Sequence, residues 1–246
     1  MGSVRVLGPG RYATGSGRSR RFQRGTRGGL AVAHELSRRW GCTVSEPHDT
    51  MDLLEYRRIV FETYAAAREA GGGAAAWSRW RTDRDELFAT HPQSALLPSA
   101  RESFTGLPYF PYDPAWRIEV TVEPLAGEDI RIGHSAEGET GFRRFGRVRF
   151  DVGADQVDLT LFWLAGYGGG VFLPFRDGTS GSETYGGGRY LLDTVKGADL
   201  GHEDDRILLD FNYAYHPSCV HDDRWSCPLA PPENWSSVDV RAGERL

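Results

Sequence analysis

From Asp52 onward, apolar residues recur every three or four positions. Leu53, Tyr56, Val60, Tyr64 and Ala67 form one stripe, while Glu55, Arg57, Arg58 and Glu62 face away. That period buries one face of a helix, and Asp52 with Glu55 supplies a capping box at its start. Gly71, Gly72 and Gly73 end the helix, because glycine gives up the most backbone freedom on becoming helical. A second amphipathic segment follows with Trp77, Trp80, Leu87 and Phe88 on one stripe.

After His91-Pro92-Gln93-Ser94 the period changes to two. Trp116, Ile118, Val120 and Val122 alternate with Arg117, Glu119, Thr121 and Glu123, and Val148, Phe150 and Val152 alternate with Arg147, Arg149 and Asp151. Val157, Leu159, Leu161 and Trp163 continue the pattern, and further strands are expected at Val171 to Phe175, Gly188 to Asp193, Arg206 to Phe211 and Ser237 to Arg241. Short strands divided by Gly, Asp and Pro turns, with no helical period between them, predict antiparallel pairing rather than parallel crossovers. The expected fold is mainly β (α+β): an antiparallel β sandwich or barrel with two N-terminal flanking helices.

Length and charge divide the chain. With 246 residues, 39% of them apolar, one sizeable core is expected. Residues 1–50 hold nine Arg against Glu35, Glu46 and Asp49, so with a net charge of −5 the remainder carries −11. The first 29 residues contain no Asp or Glu and many Gly and Ser, a composition too poor in apolar surface to offset ordering entropy. We therefore expect a basic, disordered tail over 1–50 and a single domain over 51–246, helical over 51–90 and β over 100–246. An acidic body argues against nucleic-acid binding, which needs clustered cations. No apolar run approaches the roughly 18 residues of a membrane span, and Cys42, Cys219 and Cys227 are too few for a disulfide scaffold. A cytoplasmic protein without cofactor is expected.

Four groupings could carry chemistry. His216, Cys219, His221 and Cys227 are zinc-type donors, but their spacing matches no standard finger or ribbon, and buried thiols explain the cysteines as well. Cys219 beside a histidine could be a nucleophile, although Asp222 and Asp223 oppose its thiolate. The glycine-rich stretches at 166–170 and 186–188 precede strands rather than helices, so turns explain them better than phosphate loops. Finally, Asp177, Arg189, Tyr190, Asp210, Asn212, Tyr215, Glu233 and Asn234 lie on neighbouring strand ends. There they form either a pocket for a small anionic molecule or a buried network in which Arg189 forks onto Asp210 or Asp177.

Several segments resemble a bacterial family known as domain of unknown function 1684. They are Leu87-Phe88 with Thr90 to Ser94, Phe104-x-Gly106-Leu107-x-Tyr109 to Pro114, Phe175 to Tyr190, Leu209 to Asn234, and Arg241 to Glu244. The likeness runs from Met51 and implies no activity. The family pattern usually has Asn in place of His216 and an aromatic in place of His221, which weakens the zinc reading. Cys219, Cys227, Arg189, Asp210, Asn212, Glu233 and Asn234 do match. The preferred reading is a pocket at one end of the sheet, where Arg189 binds an anionic group and Asp210 orients it or acts as a base. Tyr190, Asn212 and Tyr215 line this pocket. In its hydrolytic form this would be acid–base catalysis. The alternatives are a non-catalytic interaction module and a zinc protein.

Overall fold

The computed structural model describes residues 47–246. The expected tail over 1–50 therefore lies outside the described residues, except for 47–50, which are already helical. Helix α1 (Pro47–Glu69) and helix α2 (Gly73–Thr90) pack against each other, and a single turn α3 (Pro98–Arg101) follows. The capping box at Asp52 does not form, because the helix passes through that residue.

Eight strands follow in chain order: β1 (Arg117–Thr121), β2 (Glu123–Gly133), β3 (Glu139–Val152), β4 (Asp155–Leu164), β5 (Val171–Phe175), β6 (Arg189–Asp193), β7 (His202–Glu203) and β8 (Arg206–Asp210). They form two antiparallel sheets, ordered β1-β8-β7 and β2-β3-β4-β5-β6. The fold is thus a sandwich rather than a closed barrel. Strands β2 and β7 add to those expected. The strand expected at Ser237 to Arg241 does not form: the Val238 carbonyl accepts a single backbone bond from the Gly178 N–H, and the Val240 carbonyl goes to the Arg189 side chain instead of a neighbouring strand.

Alternation along the strands makes the core. Val148 faces Leu159 and Phe150 faces Val157 across β3 and β4, and all four are buried with Val120 of β1 and Leu209 of β8. One face of the five-stranded sheet therefore covers the three-stranded one. The opposite face carries Phe142, Phe162, Phe172 and Tyr190. A second apolar cluster joins Tyr64 of α1, Trp77, Trp80 and Phe88 of α2, and Tyr213 beyond β8. Trp80 and Tyr213 have ring centroids 4.8 Å apart, and the Trp77 indole N–H donates to the Asn212 carbonyl at 2.7 Å. Aromatic pairs of this kind add about 0.5–1.5 kcal/mol each beyond their burial, so the helices are docked on the sheet body.

Candidate functional site

Arg189 is completely buried on the core side of β6, opposite Phe175 in the register and over its ring. Its Nη2 donates to Asp177 Oδ2 at 2.7 Å and to the Val240 carbonyl at 2.8 Å. Its Nη1 donates to the Glu244 carbonyl at 3.1 Å and to that of Ala242. Asp177 also accepts the Thr179 N–H at 2.7 Å. Arg189 therefore clamps the irregular segment 240–244 onto the sheet. It does not meet Asp210.

Asp210 ends β8 in the other sheet. Its Oδ1 accepts the Asn212 backbone N–H at 3.1 Å and Nδ2 at 2.8 Å, and Arg117 Nε lies 3.8 Å from Oδ2. Burial pushes its carboxyl above the ordinary value, against those hydrogen bonds and Arg117. Asn212 fastens Asp113 by accepting its N–H at 2.9 Å and donating to its carbonyl at 2.8 Å. Asn234 accepts the Thr160 N–H and donates to the Thr160 and Pro174 carbonyls, stapling the loop at 232–234 to β4 and β5. Glu233 is held by Arg144 at the surface. Of the eight residues expected to form one mouth, six serve such separate polar anchors.

The other two meet elsewhere. Tyr190 and Tyr215, with ring centroids 5.8 Å apart, line a cavity of about 230 Å³ between α1, α2 and the outer face of the five-stranded sheet. Its walls are Leu53, Tyr56 and Val60 of α1 and Phe88 of α2, together with Trp225. Arg57, Arg84 and Lys196 bring positive charge, and no Asp or Glu lines the space. Tyr190 and Lys196 also border a second cavity of about 170 Å³. Burial pushes both Tyr190 and Tyr215 well above the ordinary tyrosine value, so they stay neutral.

Behind this wall lies a buried charge centre. Arg84 Nη2 donates to Glu244 Oε2 at 2.8 Å, and the His216 backbone N–H reaches the same oxygen at 3.1 Å. His216 Nδ1 and His221 Nε2 approach Oε1 at 3.5 and 3.4 Å. Burial works to raise the Glu244 carboxyl, but Arg84 and the two histidines outweigh it and hold the group well below the ordinary range. His216 Nε2 accepts the Tyr185 N–H at 3.2 Å, which leaves its proton on Nδ1, facing Glu244. Both nitrogens of His216 are thus engaged.

The two cysteines are free, partly buried thiols, and Cys227 is tied to the turn between β2 and β3 through its backbone N–H, which donates to Ser135 Oγ at 3.1 Å. The zinc alternative needed the histidines and cysteines to converge as ligands, and among the described residues no group of three or more His, Cys, Asp or Glu side chains is placed to hold a metal ion. The glycine stretch at 166–170 makes the turn from β4 to β5, with the Leu164 N–H donating to the Gly170 carbonyl. No phosphate-binding helix follows it.

Sequence reasoning missed Arg57, Arg84, Lys196 and Glu244. Arg84 carried a signal: it lies four residues from both Trp80 and Phe88, on the apolar stripe of α2. A charge there requires a buried partner.

Fold and site define an α+β sandwich in which a helical pair closes an amphipathic, cation-lined cavity over one face of a five-stranded antiparallel sheet. The chain belongs to the family described as protein of unknown function (DUF1684), whose model matches residues 102–245. That match begins after α2, so Arg57, Arg84 and the helical wall lie outside it. The chain is also similar to an uncharacterized protein from Haloarcula marismortui with a solution NMR structure. The two are 38% identical, the likeness covers 68% of this chain and 90% of that one, and the TM-score is 0.51. No curated protein matches.

Proposed function

We propose that this protein binds a small amphiphilic anion in the cavity beneath α1, with the apolar part against the aromatic wall and the charge at Arg57, beside the Lys196–Asp193 pair. The carrying observation is the sign of the lining: three cationic side chains and no carboxylate, in a chain of net charge −5. A low-dielectric pocket with charge of one sign concentrates ligands of the other. Arg84 is neutralised by Glu244 and Lys196 by Asp193 at 2.8 Å, whereas Arg57 is exposed and pairs with no described residue. Arg57 therefore carries the uncompensated charge at the rim. A volume of about 230 Å³ falls below the roughly 300–1,000 Å³ of drug-sized sites, which favours a compact monocarboxylate.

Binding is favoured over hydrolysis because the histidine at the wall has no free nitrogen with which to move a proton. Arg189 supports the competing structural reading for its own part of the polar cluster, since it is buried and paired away from the cavity. The free thiols of Cys219 and Cys227 support action in a reducing compartment, the cytoplasm.

Titration calorimetry with benzoate, octanoate and the neutral benzamide tests this reading. One of the two acids is expected to bind and the amide is not. Arg57→Ala with Lys196→Ala should weaken acid binding about tenfold, or roughly 1.4 kcal/mol. Silence from both acids, or equal binding of the amide, would remove the proposal.

A further inference from the structure

The second cavity, of about 170 Å³, lies on the same outer face of the five-stranded sheet as the first. Apolar side chains wall it: Phe142 of β3, Leu164 of β4, Val171 and Phe172 of β5, with Val195 and Pro228. Phe142 and Phe172 stack with ring centroids 5.1 Å apart, and Tyr190 meets Phe172 edge-on at 4.8 Å. Its polar liners are already engaged. Thr140 Oγ1 lies 2.8 Å from His134 Nε2, Asp193 pairs with Lys196 at 2.8 Å, and the Tyr190 hydroxyl donates to the Pro228 carbonyl. An apolar void costs stability in proportion to its volume, and one of about 150 Å³ stays free of water and takes up small hydrocarbons.

We propose that the two cavities are the two halves of one site for a straight-chain fatty acid, whose carboxylate sits at the Arg57 rim and whose tail passes between Tyr190 and Lys196 into the second cavity. This rests on the anion-binding reading above and adds the tail to it. Tyr190 and Lys196 line both cavities, so they form the wall between them. The two sides of that wall differ in freedom. Tyr190 is fixed by its hydroxyl at Pro228 and by edge-on contact with Phe172 and Tyr215. Lys196 reaches the wall on a flexible four-carbon stem, with Nζ 6.0 Å from the centre of the Tyr190 ring. Its side chain is 51% exposed, and an ion pair that exposed is weakly held. A swing of Lys196 towards solvent therefore opens the passage at little cost, and its methylenes then cover the chain.

Charge fixes which way the ligand lies. The second cavity has Asp193 in its lining, and its cation Lys196 is tied to that carboxylate, whereas no Asp or Glu lines the first. A carboxylate head is thus repelled at the far end and drawn to Arg57 at the near one. A hydrocarbon tail makes no demand for hydrogen bonds, which suits walls of Phe, Leu and Val.

Calorimetry on the full chain with octanoate, decanoate and dodecanoate, each below its micellar concentration, tests this. Affinity is expected to climb beyond octanoate by about fourfold for each methylene that enters the second cavity. Leu164→Trp and, separately, Val195→Phe fill that cavity at positions that do not border the first. Each should weaken dodecanoate binding about tenfold and leave unchanged the shorter acid that binds the parent, benzoate or octanoate. Circular dichroism checks that the variants are folded, and two positions are used so that misfolding of one leaves the other to decide. A flat affinity from octanoate to dodecanoate, or a gain that the folded variants keep, would overturn the tail site while the anion-binding reading stands. Silence from benzoate and octanoate alike would overturn both.

Discussion

Arg84 on α2 and Glu244 form an ion pair at 2.8 Å between side chains 13% and 1% exposed, and 160 residues separate them along the chain. This contact ties the helical wall of the cavity to the segment that Arg189 clamps against the sheet. Removing one member of a buried pair leaves the other charged and desolvated, at a cost of about 3–5 kcal/mol. Arg84→Met should therefore lower the unfolding free energy by that amount, seen as a lower urea midpoint at unchanged slope. A double variant adding Glu244→Gln should be more stable than the single one.

The same carboxylate predicts an acid dependence. Glu244 in the folded chain titrates well below its ordinary value of 4.5. Its contribution is complete above that ordinary value and shrinks as pH falls towards the folded-state value, because the unfolded chain takes up the proton first. Unfolding free energies measured between pH 3 and 7 should decline below about pH 4.5 in the parent protein. The decline should be shallower in Glu244→Gln.

Asp177→Asn tests the network reading of Arg189. The substitution leaves a fully buried guanidinium facing three carbonyls without its hydrogen-bonded carboxylate. Destabilisation of about 3 kcal/mol or more is expected in denaturant unfolding. Binding of benzoate or octanoate at the cavity, measured where the variant is still folded, should be unchanged. Lost affinity there would return Arg189 to the ligand site.

Iodoacetamide alkylation followed by peptide mapping reports the state of Cys219 directly. Its rate should rise with a midpoint near pH 6, the value to which the neighbouring donors bring it. In Cys227→Ala the midpoint should move up towards the ordinary thiol value, because the largest of those contributions is gone. A midpoint unmoved by that change would mean that Cys227 does not hold the thiolate.

The strands that could be read from the chain are those whose pattern is local. Val171 to Phe175 forms a strand as expected, and the Val148 and Leu159 runs pair across a short turn. Strand β2 escaped notice because Pro124 and Gly127 interrupt its alternation, and a break in register falls between Pro124 and Glu128. The expected strand at Ser237 to Arg241 had the right residues, but its Val240 carbonyl goes to Arg189, a partner 51 residues away. The site was half legible for a simple geometric reason. Arg189 and Tyr190 are neighbours on a strand and point to opposite faces, so grouping them in one mouth contradicted the alternation that identified the strand. The cationic rim was harder to see, since Arg57, Arg84 and Lys196 are brought together only by helix docking.

The Arg84–Glu244 contact also bears on the order in which the molecule takes shape. During synthesis α1 and α2 leave the ribosome long before the carboxylate that anchors them, and at about 5–20 residues per second that interval lasts on the order of ten seconds or more. Early in it, before the strands emerge, Trp77, Trp80 and Phe88 have no sheet to cover, and throughout it Arg84 has no Glu244 to pair with. The helical pair that roofs the cavity is thus made first and secured late, a period in which a chaperone able to shield an aromatic helix face has the most to protect.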